Sequence, residues 1–126
     1  MSEPNQLQLQ VEGLGNLMQT LKEHEGKRRI IMFIGAMNEN GESWCPDCRD
    51  AEPVVEAALK KAPSDIVFIL SIVGDKPEWK SPDNEFRTNP EFKLKEIPTI
   101  VDYGTDKRLG CEDCKNSEIV DKFFTE

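Results

Sequence analysis

Residues 42–48 read ESWCPDC. Two of the chain's four cysteines stand here, Cys45 and Cys48, with Trp44 in front and Pro46 and Asp47 between them. A pair at this spacing is a metal clamp, a structural bridge or a redox dithiol, and its surroundings decide which. Upstream, residues 29–35 (RIIMFIG) form a nearly continuous apolar run. Its length and Ile content predict a strand buried on both faces. Residues 36–43 (AMNENGES) break the run, with Asn-Gly as the turn signal. Downstream, from Pro46 to about Ala62, the residues Ala51, Val54, Val55, Ala58 and Leu59 recur with helical spacing. Cys45 is therefore expected at or just before the first turn of a helix that follows a buried strand.

That position favours redox chemistry. Pro46 falls at an early helical position, where its missing N–H costs nothing. It also removes one donor that would otherwise stabilise an anion. The remaining unpaired N–H groups and the positive end of the helix dipole favour a thiolate at Cys45, and the thiolate is the nucleophile of disulfide exchange. Cys48 shares the helix face one turn on, where it can attack a mixed disulfide formed by Cys45. Asp47 should raise the thiol pKa by its charge, against the helix terminus; equally, it is an ordinary exposed acid in a first turn. Trp44 either covers the thiol and shapes a docking surface or simply packs on the domain.

The rest of the chain supplies a frame. Leu14, Leu17, Met18 and Leu21 mark one stripe of a first helix that ends near Gly26. Residues 66–73 (IVFILSIV) predict a second buried strand. Residues 74–92 are polar and Pro-rich, a long excursion with one short helix around Asn84 to Asn89. A strand should begin at about Thr99, a short edge strand should follow in DKRLG (residues 106–110), and Ser117 to Phe124 should form an amphipathic terminal helix. The predicted order is helix, strand, helix, strand, long connection, strand, strand, helix. The alternation calls for a parallel pair with a crossover helix, and the spacing near residues 99–110 for an antiparallel hairpin. No strand is expected before the first helix.

At 126 residues a single domain spanning residues 1–126 is the natural expectation. The net charge of -8 disfavours nucleic acid and anionic membranes as partners. No apolar stretch approaches the roughly 18 residues of a membrane span. The polar, acidic start MSEPNQLQLQVEGLG has no secretory pattern, which points to the cytoplasm. Thiols are kept reduced there, so C-x-x-C pairs read as metal-binding or redox-active before they read as staples.

Pro53 lies eight residues after Cys45, inside the helical pattern, and Pro98 directly precedes a predicted strand in EIPTI. A central strand disfavours proline, so a special geometry such as a cis Ile97–Pro98 bond is one reading there. The ordered set (buried strand, W-C-x-x-C, the proline eight residues on, and I-P-T before a strand) resembles thioredoxin. SWCPDC, AEPVV, VGDKPEWKSPDNEFR and IPTIVDYGT together resemble more closely the family of thioredoxin-related proteins of 14 kDa, also called the thioredoxin domain-containing protein seventeen family. The mass of 14.3 kDa agrees.

The resemblance implies an α/β thioredoxin fold, a central mixed β-sheet flanked by α-helices. It implies Cys45 as nucleophile, Cys48 as resolving thiol and a cis Pro98 facing the pair, with Ile97 and Pro98 presenting backbone to an extended substrate. It also implies a monomeric cytosolic disulfide reductase with no bound cofactor or metal, recycled by NADPH through thioredoxin reductase as its partner. Cystine, nitrosothiols and selected protein thiols would be its substrates, and peroxide handling and inflammatory signalling its context. Ordinary thioredoxin has W-C-G-P-C and a buried acid on the preceding strand. Here Pro46 and Asp47 replace the dipeptide and tune the dithiol. RIIMFIG carries no carboxylate, so Asp47 is the candidate to take over part of the acid's role. The inserted segment carrying Trp79 either restricts large substrates at the docking surface or is family-specific decoration. The reading of the fold as a non-enzymatic, redox-sensing binding module remains as the alternative.

Cys111 and Cys114 make a second C-x-x-C, with 62 residues between Cys48 and Cys111. Compact zinc ribbons space their pairs by roughly 15–20 residues, which argues against a shared zinc site. In a thioredoxin fold this pair is expected away from Cys45, as reduced surface thiols; the alternative is a second redox pair, since Cys114 falls near the start of the terminal helix, but Glu112 and Asp113 disfavour a thiolate there. His24, the single histidine, is expected to be solvated and without a partner.

Overall fold

A computed structural model describes residues 6–126. The reading of the N-terminus as lacking a secretory pattern falls partly on residues 1–5, which lie outside the described residues. The five strands are β1 (Leu7–Glu12), β2 (Arg29–Ile34), β3 (Val67–Ile72), β4 (Thr99–Asp102) and β5 (Arg108–Leu109). The helices are α1 (Leu14–Glu23), α2 (Pro46–Lys61), α3 (Lys76–Lys80), α4 (Glu85–Thr88) and α5 (Ser117–Thr125), with a 3-10 turn at Asp113–Lys115.

The strands form one mixed sheet in the order β1-β3-β2-β4-β5. β3 is parallel to both β1 and β2, β4 is antiparallel to β2, and β4 and β5 form an antiparallel hairpin. The expected crossover unit is β2–α2–β3. β2 is the middle strand, and Ile30 to Ile34 are all buried, as a run covered on both faces must be.

Two elements escape the sequence reading. β1 occupies LQLQVE, where Leu7, Leu9 and Val11 alternate with Gln and Glu. This is the period of a half-buried strand. Its polar half masks it in a composition-level reading, and pairing with β3 supplies the rest. The polar excursion between β3 and β4 contains α3 as well as the anticipated α4. Asp75 and Glu78 close a capping box at α3, which stabilises so short a helix by satisfying its free N–H groups.

This excursion is fastened to the core by its aromatic residues. Trp79, Phe86, Phe92 and Leu94 are buried. Phe33 near the end of β2 meets Phe86 and Phe92 edge-on, with ring centroids 5.8 and 5.1 Å apart. Such pairs add about 0.5–1.5 kcal/mol beyond the area they bury. The excursion is thereby held beside the end of β2, where the loop to Cys45 begins. At the other end of the sheet, Arg28 bonds Asp102 and the carbonyls of Phe123 and Phe124, tying α5 down. α5 also packs against α2. His24 caps the end of α1, with Nδ1 2.9 Å from the Thr20 carbonyl oxygen, so the expectation of a partnerless histidine does not hold.

Candidate active site

The loop from β2 to α2 is held by short local bonds. The Asn38 side chain accepts the N–H groups of Asn40 and Glu42, folding the extra residues into a turn. Ser43 is buried; its hydroxyl donates to the Gly35 carbonyl over 2.8 Å and accepts the Cys45 N–H over 3.2 Å. Trp44 is half-buried, and its Nε1–H donates to the Gly74 carbonyl over 3.0 Å. That indole passes so close to Gly35 that a Cβ there would lie 2.5 Å from Trp44 Cε2. Gly35 is thus fixed by a close approach rather than by a turn. Ser43 and Gly35 set the loop that carries the cysteine, and a sequence reading centred on the motif passes over both.

Cys45 is the N-cap of α2, and Pro46 opens the helix. All four cysteines are free thiols. The Cys48 N–H donates to Cys45 Sγ over 3.2 Å, and the Ile97 carbonyl oxygen lies 3.8 Å from the same sulfur. The Cys45 pKa is lowered to about 7. The largest cause is the hydrogen bond from the Cys48 side chain; burial opposes it, and the backbone N–H groups of Cys48 and Asp47 assist it. The Asp47 charge pushes the other way, as expected from its sign. Cys48 is pushed strongly upward, first by serving as donor to Cys45 and then by burial. One thiol is thus poised to ionise and its neighbour is held protonated.

Asp47 is tied to two neighbours. Its carboxylate is 3.1 Å from Lys115 Nζ and accepts a hydrogen bond from the Cys111 thiol, and these two contacts hold its pKa below the ordinary carboxylate range. An acid so held is ionised near neutrality, the form that accepts a proton. Lys115, raised by Asp47 and then by Glu112, belongs to the site, and nothing in the motif signals it.

The Ile97–Pro98 bond is cis. Trp44, Cys45, Pro46, Asp47, Trp79 and Ile97 line one open cleft, and Pro98 is buried behind Ile97. Trp79 is itself 5% exposed, stacked under the Arg87 guanidinium 3.8 Å from the ring centroid. It serves as a wall of the cleft and as an anchor of the excursion at once.

The second cysteine pair departs from expectation twice. Cys111 lies in the same cleft as Cys45, bonded through its thiol to Asp47 and through its N–H to Glu96 over 2.7 Å. Cys114 is fully buried, not a surface thiol, with Sγ 3.8 and 3.7 Å from the carbonyl oxygens of Pro98 and Leu109. Burial first, then neighbouring negative charge, raises both thiols to about 12. Neither is a ready nucleophile. The short hairpin β4–β5 followed by the 3-10 turn folds this segment back onto the cis-proline loop, which is why distance along the chain misleads. Among the described residues no group of three or more His, Cys, Asp or Glu side chains is placed to hold a metal ion.

Comparison with known proteins agrees with this geometry. Residues 10–126 match the family described as Thioredoxin domain-containing protein 17-like, thioredoxin domain. The chain is 42% identical to Thioredoxin domain-containing protein 17 of Mus musculus over 119 residues, covering 94% of this chain and 95% of that one. It is 39% identical to the Homo sapiens protein of the same name, with the same coverage. It is 38% identical to Thioredoxin-like protein Clot of Arabidopsis thaliana, over 77% of this chain and 75% of the other. Among solved structures, a reduced Schistosoma mansoni thioredoxin pre-protein superposes with a TM-score of 0.61 at 16% identity, covering 94% of this chain and 98% of that one. At that identity the likeness speaks to the fold alone.

Proposed function

The chain belongs to the Thioredoxin domain-containing protein 17-like family, and from that premise we propose that it is a thiol–disulfide oxidoreductase working as a disulfide reductase. Family membership supports redox thiol chemistry in general. The observation that carries the finer reading is the unequal pair: Cys45 lowered to about 7 at a helix N-cap, beside a Cys48 thiol that remains protonated.

The chemistry follows from that inequality. The Cys45 thiolate attacks one sulfur of a substrate disulfide and expels the other as a thiolate, which takes up a proton. The mixed disulfide removes the negative charge that Cys48 was stabilising. Cys48 then loses its proton, attacks Cys45 Sγ and expels the second substrate thiolate. The substrate gains two electrons and two protons, and the protein is left with a Cys45–Cys48 disulfide. Ile97 offers a carbonyl beside the reacting sulfur, so an extended substrate can align along the cis-proline loop while Trp44 and Trp79 bound the cleft. Pro46 fixes the start of the helix, and Asp47 trims the acidity of Cys45.

In this reading NADPH and thioredoxin reductase return the disulfide to the dithiol in the cytoplasm, and the protein needs no cofactor of its own. Cystine, nitrosothiols and selected protein disulfides are the proposed substrates. NADPH oxidation in a mixture of thioredoxin reductase, this protein and cystine tests it. Turnover that depends on the protein and vanishes in Cys45→Ser supports the reading. A folded wild-type protein that draws no NADPH would leave only a redox-sensing binding module.

A further inference from the structure

The excursion between β3 and β4, residues 74–96, carries six acids and five bases, so its composition is nearly neutral. The fold does not distribute them evenly. Lys76, Lys80, Arg87 and Lys95 all line the cleft in front of Cys45. Among the described residues none of the four makes an ion pair. The three lysines are exposed. Arg87 is held by its stack on Trp79 and by its Nε–H bond of 2.7 Å to the Trp79 carbonyl, and its terminal amines have no acceptor among the described residues.

Five of the six acids of the excursion lie outside the cleft lining, and four of these have partners of their own. Asp75 and Glu78 cap α3, Glu85 accepts the Leu14 N–H, and Glu91 accepts the Tyr103 hydroxyl. The two carboxylates that do line the cleft, Asp47 and Glu96, are engaged with Lys115 and with the Cys111 N–H. A chain of net charge -8 therefore surrounds its nucleophile with four uncommitted cations. Exposed cations gathered at a concave site raise the local concentration of anions and speed their approach.

We propose that this rim selects disulfides flanked by carboxylates, presented on acidic peptide segments, as the preferred substrates of the dithiol. The proposal rests on the reductase reading and adds a substrate class to it. Lys76, Lys80, Lys95 and Arg87 bind the flanking carboxylates while the disulfide sulfur meets Cys45, and the exchange then proceeds by the two-thiol sequence given above.

The test uses pre-reduced protein and two cystine-bridged peptides, identical except that the residues flanking each half-cystine are Glu in one and Gln in the other. Each rate is divided by the rate at which a small neutral thiol reduces the same peptide, which removes differences in intrinsic reactivity. The normalised rate for the Glu peptide should exceed that for the Gln peptide about tenfold at low ionic strength. The preference should shrink toward unity near 1 M salt, where the Debye length is about 3 Å. It should also shrink in the combined variant Lys76→Gln, Lys80→Gln, Lys95→Gln. Equal normalised rates in the wild type would overturn the proposal and leave the reductase standing. A Glu preference unchanged by both salt and the combined variant would overturn the assignment to the rim. Reduction of neither peptide would remove the reductase reading, and this proposal with it.

Discussion

The Cys48 backbone N–H donates to Cys45 Sγ across 3.2 Å. One turn of helix separates the two residues. The same turn that stabilises the attacking sulfur as an anion also holds the resolving thiol within its reach. Ionisation and resolution are thus two consequences of one N-cap.

The first prediction concerns pH. With Cys45 lowered to about 7, its thiolate fraction is near one half at neutrality and falls roughly tenfold per unit below it. Alkylation of the reduced protein by iodoacetamide should therefore rise through a midpoint near pH 7 and then level off. Mass spectrometry should place the first label on Cys45. Cys48, pushed upward by its partner and by burial, should stay unlabelled across that range. A midpoint near the ordinary thiol value would show that the Cys48 thiol and the backbone N–H groups do not stabilise the thiolate as described.

Asp47 and Lys115 should move that midpoint in opposite directions. Asp47 raises the Cys45 pKa through its charge, and Lys115 neutralises Asp47 from 3.1 Å. Asp47→Asn should lower the alkylation midpoint by about half a pH unit, and Lys115→Gln should raise it by a similar amount. Shifts of the same sign in both variants would contradict this electrostatic arrangement.

Gly35→Ala should damage the site from behind. The added Cβ would meet the Trp44 indole at 2.5 Å, and the ring cannot retreat without stretching its bond to the Gly74 carbonyl. Overpacking of this kind costs about 1–3 kcal/mol. Urea unfolding should show that loss, with a changed tryptophan emission in the folded state. A variant as stable as the wild type, with unaltered emission, would mean that the loop yields freely.

The buried strand β2, the crossover helix α2 and the place of Cys45 between them are legible because long apolar runs and a proline-led helix start are strong local signals. Ile30 to Ile34 are covered on both faces, so every residue type in that run agrees with its environment. The cis Pro98 follows from the resemblance more than from composition. β1 is less visible because an edge strand needs only half its residues to be apolar. α3 hides in a polar segment whose stability comes from a reciprocal cap and from one buried tryptophan. The electrostatic partners of the motif are the least legible. Lys115 and Cys111 reach Asp47 from 68 and 64 positions away in the chain, and no spacing rule links them. The basic rim is hidden for a related reason. Residues 74–96 look balanced until folding brings four of the five bases, but only Glu96 of the six acids, to the cleft.

The central claim is that Cys45 attacks and Cys48 resolves. Cys48→Ser removes the resolving thiol and leaves the N-cap sulfur in place, although part of its stabilisation is lost with the Cys48 thiol. Treated with excess cystine and digested without reductant, this variant should carry one half-cystine per chain on the peptide that contains Cys45. The wild type, treated alike, should instead show a Cys45–Cys48 disulfide and no adduct. An adduct found on Cys111 or Cys114, or Cys45 left unmodified in the Cys48→Ser protein, would contradict the account.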